Sequence, residues 1–238
     1  MEIINLKDIN FKWEDLISFA ANKRLHSLSA DMKSAAERAY VEGLKLLELK
    51  AIFELYKVED IRQDSENINL FSYNNSNREK LLIGSRISYL FPAKEAAVIL
   101  CTSGKPLADA MASYSIKGEY LMMYYLDVFA VKALAEISAN IRCRIETIAG
   151  QKGWGAGPSM QPGSVIGWDV SGQADLFRLA HGEQIGLSLN DAHLLIPHIS
   201  NSTLVGIGPD YMEKNIGSMC HECERKDECL WRRENVKQ

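Results

Sequence analysis

A long stretch of helical pattern between Gly118 and Gly150 constrains this chain more than any other feature of its sequence. Apolar residues recur there every three or four positions, at Met122, Leu126, Phe129, Ala133, Ile137 and Ile141. This periodicity predicts one long helix with a single apolar face. A second, polar stripe at spacings of four comprises Lys132, Glu136, Asn140 and Arg144. We expect that stripe to face solvent or to line a site.

The segments before this helix predict further helices and one buried strand. Residues 11–57 have a helical pattern rich in helix formers. Residues 78–90 predict a second helical segment, which ends before Pro92 because proline does not fit a helix interior. Residues 95–102 form a short apolar run closed by Ser103 and Gly104. A run of this kind is typical of a strand that is buried on both faces.

The segments after the glycine-rich region predict a small helix and two strands. Residues 173–179 indicate a short helix. Residues 192–196 and 202–208 are apolar runs separated by five residues that include Pro197. We expect these two runs to be neighbouring strands that form an antiparallel pair.

Residues 150–172 differ in character from the rest of the chain. They hold seven of its sixteen glycines and two of its four tryptophans, Trp154 and Trp168. This glycine content excludes regular structure, and long ordered loops are usually functional. Glycine lets a ligand approach the backbone, and tryptophan offers a flat face to an adenine or a corrin edge. The alternative is a structural loop held in place by two buried tryptophans.

The C-terminal residues carry the sharpest chemical signal. Cys220, Cys223 and Cys229 form a C-x2-C-x5-C motif within nineteen residues of the end. Thiolates at this spacing suit an iron–sulfur cluster or zinc, both of which normally take four ligands. Cys101, Cys143, a partner's residue or an exogenous ligand could complete the set. A zinc clasp and three free thiols stay open as alternatives.

Charge and hydropathy exclude several classes of function. The net charge is −4 with a pI near 5.8, which argues against a nucleic-acid partner. We expect no membrane partner and a cytoplasmic location, because no apolar run reaches bilayer length and the start does not resemble a signal peptide. Two histidines, His193 and His198, have no ligand pattern around them and are expected to be structural. No nucleophile–base pair is evident.

The order and spacing of four stretches of this sequence are similar to those of a known protein family. They are a strand ending in Thr-x-Gly (95–104), a helix opening with a Leu-Asp step (118–127), a Pro-Gly loop with its following helix (162–177), and closing strands (185–208). Together they resemble the activation domain of cobalamin (vitamin B12)-dependent methionine synthase, here in a stand-alone form. The resemblance implies a single α+β domain over residues 1–215, with a curved, largely antiparallel sheet flanked by helices. Residues 216–238 would form a cysteine-rich extension.

The resemblance also implies a ligand and a set of binding residues. In that family the domain binds S-adenosylmethionine in a groove beside the Pro-Gly loop, which here is Pro162, Gly163 and Ser164. An acidic residue of the long helix contacts the ligand, and Glu136 is the nearest match, while Asp127 matches the Leu-Asp step. Either carboxylate could instead be a surface charge or a loop tether.

One part of the family's ligand-binding motif is missing from this chain. The family's Arg-x-x-x-Gly-Tyr signature falls on Ser159 and Ser164, and serine cannot replace a bidentate guanidinium. Either other residues hold the ligand, or this branch of the family binds a different one.

The function implied by the resemblance is that of an accessory in cobalamin-dependent methyl transfer. The protein would dock on a corrinoid protein or methyltransferase, so that cobalamin reaches it through the partner, and would assist reductive activation. It would be part of a methyltransferase system and not an independent catalyst. Two alternatives stay open: an S-adenosylmethionine-binding module with altered contacts, and a metal-clasped interaction protein without a small ligand.

Overall fold

The structure is a computed structural model that describes residues 1–21, 29–61, 67–72, 78–164, 167–220, 223 and 227. The strands in this part of the chain are β1 (Glu2–Leu6), β2 (Leu49–Ile61), β3 (Asn67–Ser72), β4 (Arg78–Leu82), β5 (Glu95–Thr102), β6 (Gly155–Ala156), β7 (Ser188–Leu189), β8 (Leu195–Ile196) and β9 (Ser200–Gly208). The α-helices are α1 (Trp13–Ala21), α2 (Ala30–Leu46), α3 (Lys105–Ile116), α4 (Tyr120–Gln151) and α5 (Gly172–Leu179). Two 3-10 helices span Gly84–Leu90 and Gly182–Ile185.

The main sheet is antiparallel in every pairing between its named strands. Its order is β4-β3-β2-β5-β9-β6, and β1 also pairs with β2. The first half of β2 pairs with β1 and the second half with β3, so both short strands share one edge of β2. The sheet curls into a half-barrel flanked by helices, which confirms the predicted fold class.

Apolar side chains on the two faces of the sheet form two separate cores. The first core lies under helices α1 to α4 and includes Ala97, Ile99 and Cys101 of β5. The second core lies under α5 and the 3-10 helices and includes Ala96, Val98 and Leu100. Alternate residues of β5 therefore enter different cores, which explains why this strand is apolar at nearly every position.

Helix α4 confirms the long helix predicted from periodicity, and its apolar face holds the first core together. The six periodic residues noted above are all buried. Phe129 is central, since it packs edge-to-face against Phe11 and Tyr40 at centroid distances of 5.3 and 5.9 Å. The predicted strand at residues 95–102 and the helix near residues 173–179 are also confirmed, as β5 and α5.

Two helical predictions in the first third of the chain are wrong in part. Residues 11–57 were expected to be helical throughout, but residues from Leu49 onward form β2, the central strand of the sheet. Residues 78–90 form β4 and a 3-10 helix instead of an α-helix. In β2 and β4, pairing within the sheet overrides the helix-forming side chains.

The predicted pairing of the last two strands is also wrong. The run at residues 192–196 contributes only β8, which pairs with β7. The later run forms β9, which pairs with β5 along eight positions and with β6 at its end. A full-length neighbour in the main sheet satisfies more backbone hydrogen bonds than the two-residue β8 can.

Two of the residues that follow β9 pack into the cores on either face of the sheet. Ile216 and Met219 are 3% and 6% exposed and join the first and second core respectively. The boundary expected at residue 215 stays a prediction. Within the described residues, no helix is long and apolar enough to cross a membrane.

Candidate functional site

A groove of about 370 Å³ lies between helix α4 and the exposed end of the sheet, and we call it the α4 groove. Its wall is one face of α4, formed by Val131, Leu134, Ala135, Ser138, Ile141 and Arg142. Its floor is formed by Ile99 and Cys101 of β5, by Asn201 and Thr203 of β9, and by Ser159 and Gln161. Ser164 and residues 218–220 and 223 complete the rim.

The glycine-rich segment was expected to lack regular structure, which is wrong in part, because the segment extends the sheet through β6 and so supplies part of this floor. Gly155 and Ala156 pair with the end of β9, and Met160 exchanges two backbone hydrogen bonds with Leu204. Because side chains alternate across an extended chain, Met160 enters the second core while Ser159 and Gln161 face the groove. Gly157 leaves room for the ring of Tyr211, which a Cβ atom would approach to 2.8 Å.

Residues 213–220 and Cys223, the C-terminal segment, lie beside this extension and close one side of the groove. The Ala156 N–H donates to the carbonyl of Glu213 at 2.9 Å. Both the N–H and the hydroxyl of Ser159 donate to the carbonyl of Gly217, at 2.9 and 3.1 Å. The Ile216 N–H donates to the Glu146 carboxylate on α4 at 2.7 Å. The C-terminal segment is thereby fixed to both the loop and the helix.

Polar side chains on the floor are already oriented by one another. The Gln161 amide donates to the Thr203 hydroxyl at 3.2 Å, and the Asn201 amide donates to Ser138 at 3.1 Å. Burial raises the pKa of the Cys101 thiol to about 12, although a hydrogen bond with Ser138 and the charge of Arg142 act in the opposite direction. The floor therefore presents neutral hydrogen-bonding groups and a protonated thiol.

The Pro-Gly loop predicted as a ligand site borders the groove through one of its three residues. Pro162 is buried and Gly163 is exposed, with a positive φ of 74° that favours glycine. The Gly163 N–H donates to the carbonyl of Trp168, which closes the turn. Only Ser164 lines the groove.

The two tryptophans of the loop lie away from the groove. Trp168 is 3% exposed and packs in the second core, on the other face of the sheet. Trp154 is half-buried against the first core, with the Lys152 ammonium 4.9 Å from its ring centroid. Both positions fit the structural alternative, in which tryptophans hold the loop in place, and a ligand-binding role for either stays a prediction.

The two carboxylates predicted on α4 are not brought together. Glu136 accepts both of its hydrogen bonds, at 3.0 and 2.9 Å, from the backbone N–H of Asn10. Asp127 is half-buried, and burial raises the pKa of its carboxyl while His198 opposes the shift. It precedes Arg142 by fifteen residues, or about 22 Å along a helix. A ligand role for either carboxylate stays a prediction, and neither lines the α4 groove.

The predicted metal ligands are only partly described. Cys220 and Cys223 both line the groove, and the Cys223 N–H donates to the Cys220 carbonyl. Cys229 lies outside the described residues, and among those described no group of three potential ligands is close enough to hold a metal. Of the two cysteines considered as a fourth ligand, Cys101 lines the groove and Cys143 is exposed elsewhere on α4. The metal site stays a prediction.

Sequence reasoning missed the groove residues of α4 and β9. It selected the stripe of Lys132, Glu136, Asn140 and Arg144, whereas the groove takes the neighbouring stripe that contains Ser138 and Arg142. The usable signal was the run of four polar residues, Ser200 to Thr203, with which the buried strand β9 begins. Polar side chains in a strand of this kind need partners, and here they find them at the groove.

Comparisons with known proteins support the fold. No protein-family model matches the chain. No curated protein matches it either. A solved structure described as "Crystal Structure of the MetH Reactivation Domain bound to AdoHcy" is similar in fold, with a TM-score of 0.64 and 11% sequence identity. The match covers 90% of this chain and 80% of that one. The chain therefore has the fold of the MetH reactivation domain.

Proposed function

We propose that this protein assists cobalamin-dependent methyl transfer. It binds S-adenosylmethionine or S-adenosylhomocysteine in the α4 groove and docks on a corrinoid protein whose oxidised cobalamin it helps return to service. The position of the groove carries the proposal. The groove lies beside the Pro-Gly loop, where the resemblance expects the ligand, in a chain with the fold of a reactivation domain solved with AdoHcy.

The composition of the groove also suits a nucleoside joined to an amino acid. Its volume falls within the range usual for small-ligand sites, which are mostly apolar with a few placed polar groups. Val131, Leu134 and Ile99 offer apolar surface, and the side chains of Gln161 and Thr203 offer polar groups. S-adenosylhomocysteine has both an apolar, aromatic portion and polar portions, so the mixed lining of the groove suits it.

The role of the protein in the reaction is to present the ligand and the partner to each other. In reactivation, one electron from an external reductant and one methyl group from the sulfonium ligand convert cobalt(II) to methylcobalt(III) and leave S-adenosylhomocysteine. The residues of the α4 groove bind and orient the ligand. An accessory that only positions reactants can accelerate such a step without any catalytic group of its own.

Ligand binding is tested by titrating the full chain with S-adenosylhomocysteine, using calorimetry and thermal unfolding. A ligand at a hundred times its Kd stabilises the folded state by about 2.7 kcal/mol. For a chain of this size we therefore expect the unfolding midpoint to rise by about 5–10 °C. A saturable one-site isotherm supports the proposal. No heat and no shift at millimolar ligand would contradict ligand binding in the groove.

The accessory role needs a second measurement. A corrinoid methyltransferase lacking an activation domain of its own is prepared in the cobalt(II) form, with a chemical reductant and S-adenosylmethionine. We expect methylcobalamin to form faster when this protein is added. An unchanged rate, with no complex detected by sedimentation, would leave an S-adenosylmethionine-binding module as the better description.

A metal centre in the C-terminal segment is a second candidate, favoured by the position of Cys220 and Cys223 on the groove itself. After anaerobic purification we expect either iron with sulfide in proportion or zinc, and the loss of that metal in the double variant Cys220→Ala/Cys223→Ala. Cys143→Ala is the comparison variant: this thiol is exposed and does not line the groove, so we expect the metal to be kept, and its loss there would make Cys143 the fourth ligand. Zinc without iron would indicate a structural site with no redox role. The absence of metal from the wild-type protein would contradict a metal centre altogether.

A further inference from the structure

The side chain of Gln161 has hydrogen-bonding capacity beyond the contact that orients it. It lines the α4 groove, and one N–H of its amide donates to the Thr203 hydroxyl at 3.2 Å. A carboxamide has two N–H donors and a carbonyl oxygen with two lone pairs. The contact with Thr203 uses one of these donors and neither lone pair. The amide is therefore held in place by a bond that leaves it one donor and one acceptor to offer a ligand.

The backbone around Gln161 fixes where this amide lies. Met160 and Leu204 exchange two backbone hydrogen bonds, at 3.0 and 2.8 Å, so Gln161 lies opposite Thr203 on the neighbouring strand. Thr203 is in turn opposite Ile99 of β5. Ile99, Thr203 and Gln161 thus form a row across the sheet, and all three line the groove. The row begins with an apolar side chain and ends with an amide.

This row suits a flat, uncharged base. Neighbouring strands are about 4.8 Å apart, so the backbones at Ile99 and Gln161 are separated by about 10 Å. A bicyclic base that lies over Thr203 can therefore contact Ile99 at one end and the amide at the other. The second carboxamide of the groove, Asn201, is directed toward α4, since it donates to Ser138 at 3.1 Å. Gln161 is thus the amide that lies at the edge of such a base.

We propose that Gln161 recognises the adenine base of the ligand, accepting from its exocyclic amino group and donating to the ring nitrogen beside it. This inference rests on the proposed binding of S-adenosylmethionine or S-adenosylhomocysteine. Glutamine makes paired contacts of this kind with adenine in complexes with DNA, through one acceptor and one donor. A serine hydroxyl cannot reach both positions. Gln161 thereby restricts the ligand class to thioethers and sulfonium compounds of a 6-aminopurine nucleoside.

The test compares S-adenosylhomocysteine with the same thioether that has hydrogen in place of the 6-amino group, and calorimetry measures both affinities. We expect the wild-type protein to prefer the amino form by about five- to thirtyfold, because the 6-hydrogen form leaves the Gln161 carbonyl oxygen without its partner. In Gln161→Met this preference should fall to nearly one. A purely structural role for Gln161 would weaken both thioethers equally and leave the preference unchanged. Gln161→Asn should also lose most of the preference, because its amide is one methylene shorter.

Gln184→Met is the matched control, since Gln184 is exposed and does not line the groove. This variant should keep the wild-type preference. Thermal unfolding identifies any variant that fails to fold, and if Gln161→Met is one, Gln161→Asn carries the test. An unchanged preference in the folded Gln161 variant, or equal affinities of the wild-type protein for the two thioethers, would overturn the assignment while leaving groove binding intact. Failure of the wild-type protein to bind either thioether would overturn the proposed ligand and this assignment together.

Discussion

Replacing Phe129 with alanine is expected to lower the free energy of unfolding by about 3–5 kcal/mol, the cost of removing a buried phenylalanine. The ring has no exposed surface and packs edge-to-face against Phe11 and Tyr40. Gly43 of α2 lies so close that a Cβ atom there would be 2.6 Å from the ring. The Phe129 ring is in contact with the backbone of Gly43 and with the rings of Phe11 and Tyr40. These neighbours can move little in the closely packed core, so the cavity left by the ring stays largely unfilled.

Urea unfolding followed by circular dichroism measures this change. Phe91→Ala is the matched control, because it deletes the same side chain at a position that is 40% exposed. We expect the control to cost less than about 1 kcal/mol. Equal losses in the two variants would mean that the packing of α4 against α1 and α2 is not what stabilises this layer.

The elements that were predicted correctly are those whose sequence pattern identifies them without knowledge of their neighbours in the fold. Helix α4 has a periodic apolar face long enough to identify it unaided, and β5 is apolar at nearly every position between turn residues. The resemblance supplied the antiparallel and curved character of the sheet. None of these features required knowledge of which segments are neighbours in space.

Strand β2 shows why other segments were misread. Residues 51–54 are all buried, since alternate side chains enter the core under α4 and the core under α5. Burial on both faces removes the two-residue alternation by which strands are recognised. The helix formers Leu, Ala, Glu and Lys, which make up about half of β2, then favour a helix locally, and pairing with β5 overrides that preference.

The candidate site was harder to predict because it is assembled from distant parts of the chain. Arg142, Thr203 and Cys220 belong to a helix, a strand and the C-terminal segment, and only the folded chain brings them to one groove. Helix α4 has two polar stripes, one with Glu136 and Arg144 and one with Ser138 and Arg142. Which of them lines the groove depends on which face of α4 is covered by residues 2–10, the N-terminal segment. Glu136 and Arg144 are held by Asn10 and Glu2, so their stripe faces that segment instead of the groove.

Filling the groove without disturbing either core should separate ligand binding from stability. Ala135 is exposed on α4, and its side chain lines the groove. In Ala135→Trp the indole enters the space that the ligand would occupy. We expect binding of S-adenosylhomocysteine to weaken by more than about tenfold, because a rigid side chain must be displaced or the ligand excluded. The unfolding midpoint should change little, as is usual for surface positions.

Asn140→Trp is the control for this variant, since Asn140 is exposed on the same helix but does not line the groove. Calorimetric titration of both proteins should show loss of binding in the first and wild-type binding in the second. If the protein acts by presenting the ligand to a corrinoid partner, reactivation should also be lost in Ala135→Trp alone. Wild-type affinity in folded Ala135→Trp would place the ligand elsewhere on the molecule. Lost reactivation with retained affinity would instead assign this face of α4 to the partner.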